Sequence, residues 1–104
     1  MSHTIMMIQF IEDENSRTYL DFETLPKAFQ ALMELYEQKL KQMNPNLNSI
    51  SYDCHELQNY IDSLRDISFL VLNSKGSQYA PHGKKWIKSN LYEFVKTLSS
   101  LNDN

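Results

Sequence analysis

A chain of 104 residues holds one domain, 1–104, and its 41% apolar content is high enough to bury a core and to exclude wholesale disorder. A formal net charge of −3 argues against a dedicated nucleic-acid surface, which needs clustered Lys and Arg to neutralise phosphate. The single cysteine, Cys54, excludes an internal disulfide and fits a reducing compartment.

The opening segment Thr4-Ile5-Met6-Met7-Ile8-Gln9-Phe10 reads as a strand with large apolar side chains on both faces. Alternation sends Met6, Ile8 and Phe10 one way, and Ile5 and Met7 the other. Glu12 to Ser16 is a polar turn, and Arg17-Thr18-Tyr19-Leu20-Asp21 returns as the second strand of an antiparallel hairpin. Thr24 then caps a helix that tolerates Pro26 in its first turn. Leu25, Phe29, Leu32, Tyr36, Leu40 and Met43 recur at three- and four-residue spacing until Asn44-Pro45-Asn46 stops the helix. Met33 and Leu35 widen that stripe beyond what one sheet face needs.

Asp53 and Glu56 make a capping-box start for a second helix, which carries Leu57, Tyr60, Ile61 and Leu64 as one stripe and runs to about Arg65. Ile67 to Leu72 is a second strand with apolar residues on both sides. Asn73-Ser74-Lys75-Gly76 turns the chain, with Gly76 free to take a positive φ. Ser77 to Ala80 is the last strand, ended by Pro81 as suits an edge. A third helix starts near Gly83 and sends Trp86 or Ile87, then Asn90, Leu91, Phe94, Val95 and Leu98 to the core, while the tail Leu101 to Asn104 is expected to fray. The order ββααββα describes an α+β domain, a four-stranded antiparallel sheet with three helices on one face.

Strands that are apolar on both sides need cover on both faces. Three helices cover one face, so the other calls for a partner, and a second copy gives a homodimer through that face. The expected dimer interface is Ile5, Met7, Tyr19, Leu70, Leu72 and Tyr79, with Phe69 and Val71 turned inward. Burying each such side chain contributes about 1.5–3 kcal/mol at most, and together they outweigh an association cost of ~4–15 kcal/mol. The over-wide first helix gives an expected partner groove of His3, Met33, Leu35 and Tyr36, close to Ile5, able to take an apolar client segment. The alternative is that these residues only finish the core.

Catalytic constellations are absent from the sequence. With two glycines, Gly76 and Gly83, no phosphate-cradling loop can be built. His3, His55 and His82 do not sit at metal-ligand spacing, and no cysteine pair joins them. Cys54 and His55 are adjacent, so on a helix they point about 100° apart and do not pair. Cys54 at a helix start reads as a small first-turn residue, although that position can lower a thiol pKa. Glu12/Glu14 and Asp62/Asp66 read as solvated faces. The Lys84, Lys85 and Lys88 cluster reads as a helix face whose lysine stems cover Trp86, against a phosphate site. No enzyme activity and no cofactor are expected. No stretch approaches the ~20 apolar residues that span a bilayer, and Met1-Ser2-His3-Thr4 lacks the basic start of a signal peptide, so neither membrane nor export is expected.

Several blocks match one known pattern: Met1 to Ile5, Arg17-Thr18-Tyr19 with Asp21, Tyr36-Glu37 with Leu40-Lys41, and Met43 to Asn46. So do Ser49 to Asp53, Tyr60-Ile61-Asp62, and Tyr79 through Pro81 to Lys85-Trp86-Ile87-Lys88. Together, and in register over nearly the whole chain, they resemble the enhancer of rudimentary homolog family. The resemblance implies a small α+β homodimer whose sheets face each other with helices outside. It also implies a non-enzymatic adaptor in the nucleus, with cytoplasm or perinuclear granules as further addresses. Such an adaptor binds short apolar segments of RNA-processing proteins in splicing, transcript elimination or small-RNA maturation. The competing reading is a direct RNA-binding accessory subunit. The family's dimer-face positions in the first strand match Ile5 and Met7, with methionine in place of the more usual leucine.

The chain also departs from that pattern. Phe10 stands where proline is common, the turn after it is acidic rather than basic, and the last helix ends Lys96-Thr97-Leu98-Ser99-Ser100-Leu101 without an arginine-rich close. Thr18-Tyr19-Leu20-Asp21 keeps a kinase-type site, making Thr18 a candidate phosphosite, whereas Thr24 to Lys27 has lost the acidic residue. These changes point to a diverged paralogue or lineage with its own set of clients.

Overall fold

The computed structural model of the protein describes residues 3–46 and 52–102, with side chains as far as Leu98. The chain order is β1 (Thr4–Gln9), β2 (Arg17–Phe22), α1 (Leu25–Met43), α2 (Cys54–Ser63), β3 (Asp66–Leu72), β4 (Tyr79–His82) and α3 (Lys84–Asn102), with a short 3-10 turn at Glu14–Ser16. The strands form one antiparallel sheet in the order β2-β1-β3-β4. This is the α+β architecture expected from the hydrophobic periods.

Strand alternation fixes what each face carries. Thr4, Met6 and Ile8 of β1 and Ile67 and Phe69 of β3 are buried on one face, and their neighbours along each strand point the other way. α1 lies over β1 and β2, α3 over β3 and β4, and α2 packs against both helices. The core closes on Phe69, whose ring lies 5.6 Å from that of Phe29, which in turn lies 5.5 Å from Phe94. Ala28, Phe29 and Leu32 come from α1, Leu57, Tyr60 and Ile61 from α2, and Ile87 and Leu91 from α3. Of the two candidates at the start of α3, Ile87 is therefore the core residue. Trp86 is partly buried and lies flat on His82, with ring centroids 3.8 Å apart.

Local chemistry sets the helix ends. The Thr24 hydroxyl accepts from the Lys27 N–H at 3.3 Å. Asp53 and Glu56 make the reciprocal capping box, with the Glu56 N–H on Asp53 at 2.8 Å and the Asp53 N–H on Glu56 at 3.3 Å. α2 stops at Ser63 rather than near Arg65, because Leu64 turns to an extended backbone while its side chain stays in the core. The Lys84 ammonium caps the freed carbonyl, donating to the Leu64 oxygen at 2.6 Å. α3 runs through Leu101 to Asn102, past the point where fraying was expected, and 103–104 lie outside the described residues.

Pro81 does not end the last strand but sits inside it, opposite Leu70. The Asn73 N–H donates to the Gln78 carbonyl at 2.8 Å, so bonded and non-bonded pairs alternate from there and the 70/81 pair is non-bonded. A proline at that place lacks only an N–H that would face away from β3. The turn before it matches expectation: Gly76 has φ +71° and its N–H donates to the Asn73 carbonyl.

Candidate interaction surface

The face of the sheet opposite the helices has no cover among the described residues. Antiparallel register lines its side chains up in rows across the strands: Tyr19, Met7 and Ser68, then Asp21, Ile5, Leu70 and Pro81, then His3, Leu72 and Tyr79. Ile5, Met7, Tyr19, Leu70, Leu72 and Tyr79 thus share one continuous surface, and Phe69 and Val71 point to the helices. Tyr19 is 66% exposed and Tyr79 41%, high values for large rings beside aliphatic neighbours.

The two ends of this face differ in chemistry. At one end the Tyr79 hydroxyl and His3 Nδ1 are 2.6 Å apart, their rings edge to face, so the polar tips pair and leave the ring bodies apolar. At the other end Gln9 is 92% buried although its side chain belongs to the uncovered face. Its amide donates to the Ile11 and Glu12 carbonyls at 2.9 and 3.1 Å and accepts from Arg17 Nε at 3.1 Å, which ties the first turn to both strands. Ser68 and Asp66 flank it. The apolar patch therefore has a polar border at the Gln9 end.

The expected groove of His3, Met33, Leu35 and Tyr36 is not assembled. His3 shares the parity of Ile5 and Met7 and lies on the uncovered face, whereas α1 crosses the opposite one. Met33, Leu35 and Tyr36 pack against the core. The Tyr36 ring contacts Tyr52 and Tyr60, at 5.0 and 4.9 Å, and the Tyr52 hydroxyl donates to Glu37 at 3.1 Å. Burial and the Glu37 carboxylate together push the Tyr52 phenol up, keeping it neutral. Tyr36 is thus held in a tyrosine cluster, and the Met33 and Leu35 that widen the α1 stripe are partly buried against the core. Leu35 has a second role, since it lines an open cleft of about 480 Å³ with Phe10, Ile11, Tyr60, Leu64 and the polar Gln38, Lys39, Gln42 and Ser63. Ile11 stands 61% exposed at its mouth, in an otherwise acidic turn.

A family model described as Enhancer of rudimentary matches residues 1–100. The enhancer of rudimentary homolog of Dictyostelium discoideum is 40% identical over 99 residues, covering 95% of this chain and 99% of that protein. The Arabidopsis thaliana homolog is 38% identical over 98 residues, covering 94% and 90%. The protein enhancer of rudimentary of Drosophila virilis is 40% identical over 96 residues, covering 92% of each. The chain belongs to the enhancer of rudimentary family.

Enhancer of rudimentary homologues are not a known enzyme class. In this family member a cleft of about 380 Å³ between α2 and α3 holds Cys54, His55, Gln58, Lys88, Ser89, Tyr92 and Glu93. Among the described residues no hydrogen bond joins Cys54 to His55. Burial raises the Cys54 thiol pKa despite a hydrogen bond with Gln58, the opposite of what a nucleophile at a helix start needs. No group of three or more metal-ligating side chains occurs, and no helix is long and apolar enough to cross a membrane, among the described residues.

Two lysines of the Lys84, Lys85 and Lys88 cluster are used internally. Lys84 caps α2, and Lys88 forms a 2.8 Å ion pair with Asp62, so these two ammonium groups pin α3 to the end of α2. Thr18 is half-buried on the helix side of β2, opposite Ile8, with its hydroxyl 3.5 Å from the Ser16 carbonyl. Thr24 is engaged as a helix cap. The Ser49-Ile50-Ser51 part of the family pattern lies outside the described residues.

Proposed function

We propose that this family member is a non-enzymatic homodimeric adaptor, closing its uncovered sheet face against a second copy and binding short apolar segments of RNA-processing proteins in the nucleus. The observation that supports the dimer is the continuous apolar surface of Ile5, Leu70, Leu72, Met7, Tyr19 and Tyr79, left open by the chain's own helices. Two-fold symmetry duplicates every client site, so one dimer can hold two segments, or two points on one partner, with gain from effective concentration.

The client site in this reading is the cleft beside Leu35, where apolar walls from Phe10, Tyr60 and Leu64 carry polar groups at the rim. RNA processing, the nucleus and small-RNA or splicing complexes follow from the family resemblance. Direct RNA binding draws less support, because Lys84 and Lys88 are committed to α2 and the net charge is −3.

Ile11→Glu tests the cleft with little risk to the fold, since Ile11 is exposed and outside the strand. With wild-type protein as bait in nuclear extract, the shortest retained fragment should be an apolar peptide, and Ile11→Glu should weaken its binding at least about tenfold. Undiminished binding would remove the cleft from the proposal. Retention of RNA alone, lost steeply with salt, would replace the adaptor by the RNA-binding reading.

A further inference from the structure

The sheet has two edges, and they are built differently. β4 is four residues long and carries Pro81, both devices that blunt an edge. β2 is six residues long, without proline or glycine, and exposes Arg17, Tyr19, Leu20 and Asp21.

The direction of the free backbone groups on β2 follows from one bond. The Leu72 N–H donates to the His3 carbonyl at 2.9 Å, so His3, Ile5, Met7 and Gln9 turn their backbone groups to β3. Thr4, Met6 and Ile8 then turn theirs to β2, where their register partners are Phe22, Leu20 and Thr18. Tyr19 and Asp21 are left with N–H and C=O pointing away from the sheet. The Arg17 carbonyl points the same way, while its N–H is taken by the Glu14 carbonyl. No group among the described residues pairs with the backbone of Tyr19 or Asp21 on that side.

We propose that the open edge of β2 pairs antiparallel with the same edge of a second copy, about a two-fold axis at Tyr19, so that Arg17 of each meets Asp21 of the other. In this register the Tyr19 N–H donates to the Tyr19 carbonyl of the second copy, and the Asp21 N–H to its Arg17 carbonyl, each bond being repeated by symmetry. All of these are outward-pointing groups, as a bonded antiparallel pair requires. Arg17, Tyr19 and Asp21 share the uncovered face, so the two charge pairs form on that side. On the helix side Leu20, 37% exposed, meets Thr18 of the second copy.

Charges on an edge usually prevent pairing. Here the two signs are spaced so that one register neutralises both, and moving the axis to Thr18 or Leu20 separates Arg17 from Asp21. Exposed ion pairs and edge hydrogen bonds are individually weak, so the association is expected to be concentration-dependent and salt-sensitive. It uses backbone at the sheet's margin and, on the uncovered face, only Arg17, Tyr19 and Asp21, leaving Ile5, Met7, Leu70 and Leu72 free. It is therefore compatible with the face-to-face dimer and would join such dimers into larger assemblies.

The test is a charge swap read by analytical ultracentrifugation in a Leu72→Arg background, which removes the face contact without setting a new charge beside Asp21, the register partner of Ile5. The parent should self-associate at high concentration, and either Arg17→Asp or Asp21→Arg should weaken this at least about tenfold, because like charges then face each other across the axis. An equimolar mixture of the two single variants should associate again, and so should the double variant Arg17→Asp/Asp21→Arg. Arg17→Asp also loses the bond to Gln9, which the double variant does not restore, so recovery reports the cross-strand charges alone. Tyr19→Pro removes one solvent-facing donor while sparing the bonds to β1, and should abolish the association.

A parent that stays monomeric at every concentration, as expected if a foreign strand is the true occupant, overturns the proposal. So does association indifferent to the single charge changes, or a mixture that fails to recover. If Leu72→Arg leaves the mass unchanged while the charge series behaves as expected, the edge stands and the face-to-face dimer falls.

Discussion

Phe69→Ala is expected to lower the free energy of unfolding by about 3–5 kcal/mol, the range for removing a buried aromatic ring and leaving a cavity. Phe69 is fully buried at the middle of β3, beside Met6 in the central strand and against Phe29 from α1. One substitution therefore strips contacts from the sheet and from the helical layer together. Domains of this size have about 5–15 kcal/mol in total, so the variant should be close to unfolding at physiological temperature. Denaturant titration at fixed protein concentration measures it, fixed because dimerisation would add to apparent stability. A loss below about 1 kcal/mol would mean that β3 faces the other way.

Ile5→Arg is expected to break the proposed homodimer while keeping the fold. Ile5 lies between Asp21 and Leu70 in the central row of the uncovered face, on the side away from the helices. In the monomer an arginine there reaches water. In a face-to-face dimer two-fold symmetry buries two of them, and desolvating each guanidinium costs several kcal/mol even with Asp21 beside it, a loss of at least about a hundredfold in affinity. Circular dichroism should be unchanged, while sedimentation should report monomers at micromolar concentrations, where the wild type is expected to be dimeric. Unaltered dimer mass would place the interface elsewhere.

Much of this fold was legible because its strands and helices carry different hydrophobic periods. Ile67 and Phe69 alternate with Ser68 and Leu70, which fixes the facing of β3 once Phe69 is assigned to the core. The stripe of α1 and the Asp53/Glu56 box could be read directly, since both depend on spacing along one element. What escaped depends on elements meeting. Lys84 reaches the end of α2 across 20 residues of sequence, so the lysines looked like a free basic cluster. Pro81 fits inside β4 only because its register makes 70/81 a non-bonded pair.

The expected groove does not form within one chain, for a reason visible in the sequence itself. His3, Ile5 and Met7 share odd parity and so a single face, and a helix covering Met6 and Ile8 cannot meet them. The aromatic contacts that absorb Tyr36 come from Tyr52 and Tyr60, which no period of α1 reveals. Ile11 was the overlooked signal for the cleft: an isoleucine next to an acidic turn, where nothing local buries it.

The molar mass of the unmodified protein, measured by multi-angle light scattering at micromolar concentration, bears most directly on whether the bare sheet face meets a second copy. Two chains of 12.3 kDa in one particle are expected. A particle of one chain, stable and soluble with Tyr19 and Tyr79 still open to water, would contradict it.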